Sequence, residues 1–107
     1  MFIPSRFRIY RDLCAFHPDS PCRSWPVDNL PRAVASVVAT VAPGLRYVDL
    51  TPRFRAEAAD GALLYLPDDP HWTAAGHRLA AQALADCLRS SPSQGPSPVA
   101  MQPAEDR

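Results

Sequence analysis

The sequence predicts an α/β fold, because amphipathic helical segments alternate with short stretches typical of buried strands. Apolar residues recur at three- and four-residue steps over residues 30–42, which predicts a helix with one apolar face. The alternating stretch that follows predicts a strand near residues 47–50, and a helix followed by a strand is half of a βαβ unit. A second, longer amphipathic helix is predicted over residues 74–89.

The first part of the chain predicts a strand and a long connection. Residues 1–4 are mostly apolar and end at Pro4, which offers no N–H to a strand ladder, so we predict a strand there. Residues 5–30 are rich in arginine, proline and aromatic residues without clean periodicity, so residues 7–10 are predicted to be a short ordered piece inside a long connection. Asn29 is the predicted cap of the first long helix, with Pro31 in its first turn.

The second part predicts a polar cluster in front of the last helix. A short helix is expected to run from Thr51, its predicted cap, to about Ala59. The apolar run at residues 63–66 is followed by a polar segment, and Thr73 is then a good cap for the final helix. The cluster consists of Asp68, Asp69 and His71. In an α/β fold, chemistry is found at such a junction.

Composition and charge exclude several classes of function. The 107 residues carry 11 basic and 11 acidic side chains, and the basic ones are scattered singly, which argues against a nucleic-acid partner. No apolar run approaches the roughly 20 residues that span a bilayer, so no membrane span is predicted. The residues after Met1 lack the pattern of a signal peptide. From the sequence as written we therefore expect a soluble, unexported protein.

The cysteines and the tail give weaker expectations. Cys14, Cys22 and Cys87 are odd in number and lack CxxC spacing, so neither a disulfide framework nor a zinc site is predicted. Unpaired cysteines are favoured, with a Cys14–Cys22 bridge left open for a secreted parent protein. Residues 90–107 are rich in proline, serine and glycine and predict a disordered tail after a domain formed by residues 1–89.

The polar cluster contains the residue types of a serine-hydrolase site. A serine hydroxyl is a weak nucleophile near neutral pH, so an imidazole must take its proton and later return it. His71 is the predicted base. A carboxylate must hold the imidazole in the correct tautomer, and an aspartate two or three residues earlier can reach its other nitrogen. Asp69 and Asp68 both satisfy this requirement.

Each of these residues also has a structural interpretation. His71 can be an ordinary surface histidine, and either aspartate can simply complement the dipole of the next helix. Trp72 is expected in the core, and His77 is expected to be structural. A metal site built from both aspartates and both histidines is disfavoured, because a six-residue helical step turns through about 240°. We therefore predict no metal and no cofactor.

The segment from Tyr65 to His77 resembles the terminal block of SGNH/GDSL hydrolases, D-x-(x)-H-W-(N/T)-x-x-G-H. Residues 2–5 and 47–51 resemble further segments of the alginate-O-acetylation-like branch, so the resemblance extends from Met1 to about Leu88. It implies a partial three-layer α/β domain with parallel strands.

The resemblance also implies a function. The implied substrate is an acyl ester, often on a carbohydrate, with hydrolysis and acyl transfer both open. The D-x-H-W form favours Asp69 as the residue that orients His71, whereas the wider D-x-x-H pattern would select Asp68. Oligomeric state stays open.

One part of the implied site is missing from the sequence. The family has a serine in a Gly-Asp-Ser context and an oxyanion hole with glycine and asparagine. The nearest string, Pro18-Asp19-Ser20, lacks the glycine, and Asn29 looks like a helix cap. We therefore expect the first strands and the nucleophile to precede Met1.

The chain is accordingly interpreted as the C-terminal part of a serine esterase or O-acetyltransferase, inactive alone. Proteins of this branch commonly act outside the cytoplasm. The alternative is a non-catalytic remnant or small interaction domain.

Overall fold

A computed structural model of the protein describes residues 1–90. Over this range the chain forms four α-helices and one 3₁₀ helix, in the order α1 (Arg6–Tyr10), the 3₁₀ helix (Pro21–Ser24), α2 (Leu30–Val41), α3 (Thr51–Ala59) and α4 (Ala74–Arg89). The two long helices and the short helix predicted from the sequence are confirmed. The ordered piece predicted at residues 7–10 is helix α1, and the 3₁₀ helix in the same connection was not predicted. The predicted disordered tail lies outside the described residues, apart from Ser90.

Strand pairing is limited to isolated bridges among the described residues. The two segments predicted as parallel strands meet at one parallel bridge, between Phe2 and Asp49. The Phe2 N–H donates to Val48 C=O at 2.7 Å, and the Leu50 N–H donates to Phe2 C=O at 3.3 Å. We expected extended parallel strands in a layered domain. Within residues 1–90 the structure instead contains a single parallel pair of residues. Pro4 lacks the N–H that a longer ladder needs.

Two of the predicted helix caps differ in the structure. Asn29 precedes α2 without a side-chain cap bond, and the Asp28 carboxylate accepts the Leu30 N–H at 3.1 Å instead. The Asp49 carboxylate likewise accepts the Thr51 N–H at 2.9 Å at the start of α3. In both places an aspartate one or two residues before the predicted cap satisfies a free N–H of the first turn.

A small core joins α1, α3, α4 and the segment before α4. Its buried side chains are Ile9, Leu50, Phe54, Ala58, Leu64, Tyr65, Leu79, Ala80 and Ala83. Within the described range, α1 packs on α3 and α3 packs on α4, whereas α2 packs on no other helix. The core therefore lies directly beneath the polar cluster that precedes α4.

Two further features bear on the expectations above. Cys14, Cys22 and Cys87 are all unpaired in the structure, as the sequence favoured. No helix in the described part of the chain has both the length and the apolar character needed to cross a membrane.

Candidate active site

The candidate site is a protruding loop whose two ends are paired. Tyr65 and Trp72 form an antiparallel bridge at its base. Next to the bridge, the Leu66 N–H donates to His71 C=O at 2.9 Å. Residues 67–70 therefore form a turn on a fixed base, and the polar cluster lies on this turn and at its end.

Thr73 fastens the loop to α4. Its hydroxyl accepts the Gly76 N–H at 3.3 Å, which confirms the predicted cap, and donates to Leu63 C=O at 2.7 Å. The Thr73 N–H also donates to Leu64 C=O, at 2.9 Å. One residue thus holds the start of α4 and both ends of the loop together.

The loop and α4 approach each other closely at Gly76. A Cβ atom added there would lie 2.5 Å from the carbonyl oxygen of Leu64 and 2.9 Å from Cβ of Trp72. Trp72 is half-buried and packs its ring on Phe54, with the ring centroids 5.3 Å apart. Gly76 therefore permits the close packing of α4 on the loop, and Trp72 packs the loop against the core, where the sequence placed it.

The N-terminal segment holds the loop from the other side. The Arg6 guanidinium donates to Leu66 C=O at 2.9 Å and also to Pro67 C=O. The buried Tyr65 hydroxyl donates to Pro4 C=O at 2.6 Å. Burial raises the pKa of Tyr65 to about 12, so this hydroxyl keeps its proton at physiological pH. Sequence patterns gave no sign of either contact.

Asp69 and His71 are brought together on the loop. Oδ1 of Asp69 accepts the backbone N–H of His71 at 2.8 Å and also lies in hydrogen-bond contact with Nδ1 of its ring. These bonds, the backbone one first, lower the pKa of Asp69, so the carboxylate is ionised at neutral pH. A carboxylate at Nδ1 favours the tautomer that carries its proton there and leaves Nε2 as an acceptor.

The opposite edge of the imidazole faces solvent. The His71 side chain is 80% exposed, against 48% for Asp69. Within residues 1–90, no side chain hydrogen-bonds Nε2 of His71, and no serine contacts this ring. A proton donor brought to the loop can therefore reach Nε2.

The remaining polar candidates do not join this pair. Asp68 is exposed, and its carboxylate forms no hydrogen bond or ion pair with the rest of the described chain. His77 lies on α4 with its ring packed edge-on against Trp72, at 5.4 Å between centroids. Over the range that the structure covers, no three His, Cys, Asp or Glu side chains are grouped as metal ligands would be.

Comparison with known proteins identifies the family. A family model described as the SGNH hydrolase-like domain of acetyltransferase AlgX matches residues 1–106. No curated protein and no solved structure matches the chain. The matched range includes the whole loop and both sides of the Phe2–Asp49 bridge, and it confirms the resemblance noted in the sequence. The chain belongs to the family of SGNH hydrolase-like domains represented by acetyltransferase AlgX, and hence to the α/β class.

Proposed function

We propose that this chain supplies the general base and its orienting carboxylate to a serine-dependent acyl-transfer site. His71 is the base, and Asp69 orients it. The substrate is an acyl ester, with a carbohydrate as the favoured carrier of the acyl group. The observation that carries the proposal is the Asp69–His71 pair, which occupies Nδ1 and leaves Nε2 facing solvent.

The proposed reaction has two symmetrical halves. Nε2 of His71 takes the proton of a serine hydroxyl while the serine oxygen attacks the acyl carbonyl carbon. The ester C–O bond then breaks, and His71 returns the proton to the departing alcohol. In the second half, water or an acceptor hydroxyl loses its proton to His71 and attacks the acyl-serine, which releases the serine. Asp69 stays ionised throughout and stabilises the imidazolium.

The serine nucleophile is proposed to come from residues outside this 107-residue sequence. The sequence contains no Gly-Asp-Ser string. Among residues 1–90, no serine hydroxyl hydrogen-bonds His71. Because a positioned base accelerates a reaction only when it has a group to deprotonate, we expect the chain alone to be inactive.

We also propose that residues 1–90 are one part of a larger three-layer α/β domain with parallel strands. Two observations support this. The Phe2–Asp49 pair is already parallel, and parallel sheets are normally covered by helices on both faces. On α2, Val37 and Val41 are 61% and 77% exposed, which leaves an apolar face of the kind that a sheet covers. Strands from outside this sequence would extend the bridge and cover that face.

The main test uses the coding sequence on both sides of this chain, followed by enzymology of the extended protein. We expect a serine in a Gly-Asp-Ser or similar context in a flanking segment. With aryl acetates as substrates, His71→Ala in the extended protein is expected to lower turnover by about 10²–10⁴-fold. His77→Ala, the matched control on α4, is expected to retain most of the activity. Full turnover in His71→Ala would overturn the assignment.

Asp69→Asn and Asp68→Asn separate the two candidate orienting residues. An amide at the Asp69 position can hold the imidazole in the wrong tautomer, so we expect a loss of up to about 10⁴-fold in kcat. Asp68→Asn is expected to stay near the wild-type rate, since its carboxylate contacts no described residue. The reverse order would make Asp68 the orienting residue.

The second candidate is a non-catalytic domain, and the lack of a Gly-Asp-Ser string in the sequence favours it. In that case the Asp69–His71 bond would only stabilise the loop. Flanking coding sequence without any candidate serine, together with stable expression of the chain as it stands, would favour this alternative.

A further inference from the structure

A second concave site lies beside the candidate active loop. It is a cleft of about 570 Å³ formed between α1, the connection that follows α1 and the base of the loop. Leu66, Pro67 and Thr73 contribute to its wall, whereas Asp69 and His71 do not. The cleft is thus adjacent to the Asp69–His71 pair but separate from it.

Aromatic rings form much of the wall of this cleft. They are Phe7, Tyr10, Phe16, Trp25 and Tyr65. The ring of Phe7 lies 5.4 Å from that of Trp25 and 6.1 Å from that of Phe16, between centroids. Despite these contacts Trp25 remains 49% exposed. The wall therefore offers preformed apolar surface of the kind that binds small molecules.

The charged lining of the cleft is entirely cationic within the described range. Arg6 donates to backbone carbonyls, and Arg11 lies over the ring of Phe7, with its guanidinium carbon 6.0 Å from the centroid. Neither forms an ion pair with a described carboxylate. Four other arginines do so, in the pairs Arg8–Asp28, Arg53–Asp86, Arg55–Asp12 and Arg89–Asp86. Arg11 therefore lies at the cleft without a described carboxylate partner, and its charge is available to an anionic occupant.

We propose that this cleft binds a carboxylate that carries a medium-sized apolar body. The apolar body lies on Phe7, Phe16 and Trp25, and the carboxylate pairs with Arg11. Burial against the apolar wall stabilises the bound apolar body, and a charge-assisted hydrogen bond from the Arg11 guanidinium stabilises the bound carboxylate. The proposal concerns binding and holds whether or not the Asp69–His71 pair takes part in catalysis.

The test compares three probes that share one apolar body. Octanoate, octan-1-ol and octylammonium are titrated into the full chain below their aggregation limits, by calorimetry and by tryptophan fluorescence. We expect one equivalent of octanoate to bind at least about tenfold more tightly than octan-1-ol, and octylammonium to bind most weakly. Trp25→Phe identifies the fluorescence signal, since the other tryptophan, Trp72, packs on Phe54 in the core.

Variants locate the binding. Arg11→Gln is expected to remove the preference for octanoate over octan-1-ol without weakening octan-1-ol, and Phe16→Ala to weaken both. Arg78→Gln, an exposed arginine on α4 outside the cleft, is the matched control and should change neither. Circular dichroism of each variant establishes that it is folded. Equal affinities for the three probes, several equivalents bound, no binding, or an unchanged preference in Arg11→Gln would each overturn the proposal.

Discussion

The two long helices of the chain carry similar apolar faces in different surroundings. Helix α4 buries Leu79 and Ala83 in the core. Helix α2 buries only Pro31, and its Val37 and Val41 are 61% and 77% exposed. Periodicity predicts that a helix has an apolar face, but it does not predict what covers that face. The comparison therefore separates a region that is packed in this chain from one that no other described helix covers.

The packed region is also the one that positions the candidate site. The loop is held by α1 through Arg6, by the core through Trp72 and by α4 through Thr73. A general base needs such support, because its proton transfers depend on fixed geometry. The open face of α2 has the opposite property, since it is suited to association with further structure. The described chain thus combines a well-supported loop with a helix, α2, whose apolar face is exposed.

The largest expected effect tests the comparison directly. Leu79→Ala removes a side chain that is only 8% exposed, so we expect a loss of about 2–5 kcal/mol in the free energy of unfolding. Val37→Ala is expected to stay within about 0.5 kcal/mol of the wild type, because Val37 contributes little buried surface in this chain. Urea denaturation followed by circular dichroism measures both. A comparable loss in Val37→Ala would mean that the α2 face is covered.

Gly76→Ala gives the next largest effect. Helix propensity alone would favour alanine by about 1 kcal/mol. The new Cβ would, however, lie 2.5 Å from a backbone oxygen of Leu64, so we expect a net loss of about 1–3 kcal/mol.

Gly44→Ala is the matched control, just beyond the end of α2. No atom lies within 4 Å of the Cβ position there, so this variant should be close to neutral. Thermal melts of the two variants test the prediction. A Gly76→Ala variant as stable as the wild type would contradict the close approach of α4 to the loop.

The parts of the site that were predictable are local in sequence. Asp69 and His71 are two residues apart, and Thr73 caps the helix that contains Gly76, so chain connectivity itself brings these groups together. The hydrogen bonds from Arg6 to the loop carbonyls join parts of the chain that are distant in sequence. Arg6 bonds a carbonyl 60 residues away, and a single arginine in a segment without clear periodicity carries no pattern that signals such a contact.

The strand predictions were limited by the same distinction between local and distant interactions. Residues 1–4 and 47–50 have strand-like composition, and they do meet in parallel. A parallel ladder, however, needs successive N–H and C=O partners along both strands, and Pro4 lacks the N–H that would continue this one. Composition predicted that both segments are strand-like and the resemblance implied parallel strands, but neither predicted that the pairing would be a single bridge.

The smallest expected effect compares two tyrosines. The hydroxyl of Tyr65 donates to Pro4 C=O at 2.6 Å in the packed region, and that of Tyr47 donates to Pro31 C=O at 2.9 Å on α2. Tyr65→Phe is expected to cost about 0.5–1.5 kcal/mol at neutral pH, because the Pro4 carbonyl loses a buried donor. Tyr47→Phe is expected to cost less, since Tyr47 is only half-buried and water can replace its hydroxyl.

Alkaline pH gives a second test of the buried Tyr65 hydroxyl. Burial raises the pKa of Tyr65 from 10.0 to about 12, so above pH 10 the unfolded chain loses this proton while the folded chain keeps it. The contribution of Tyr65 is therefore fully present below pH 10 and is lost as the pH rises toward 12. The chain contains no lysine, so few other groups titrate in this range. The stability difference between wild type and Tyr65→Phe should shrink between pH 10 and about 12 in urea denaturation. A difference that stays constant would show that the Tyr65 hydroxyl is solvated and that this region is as open as α2.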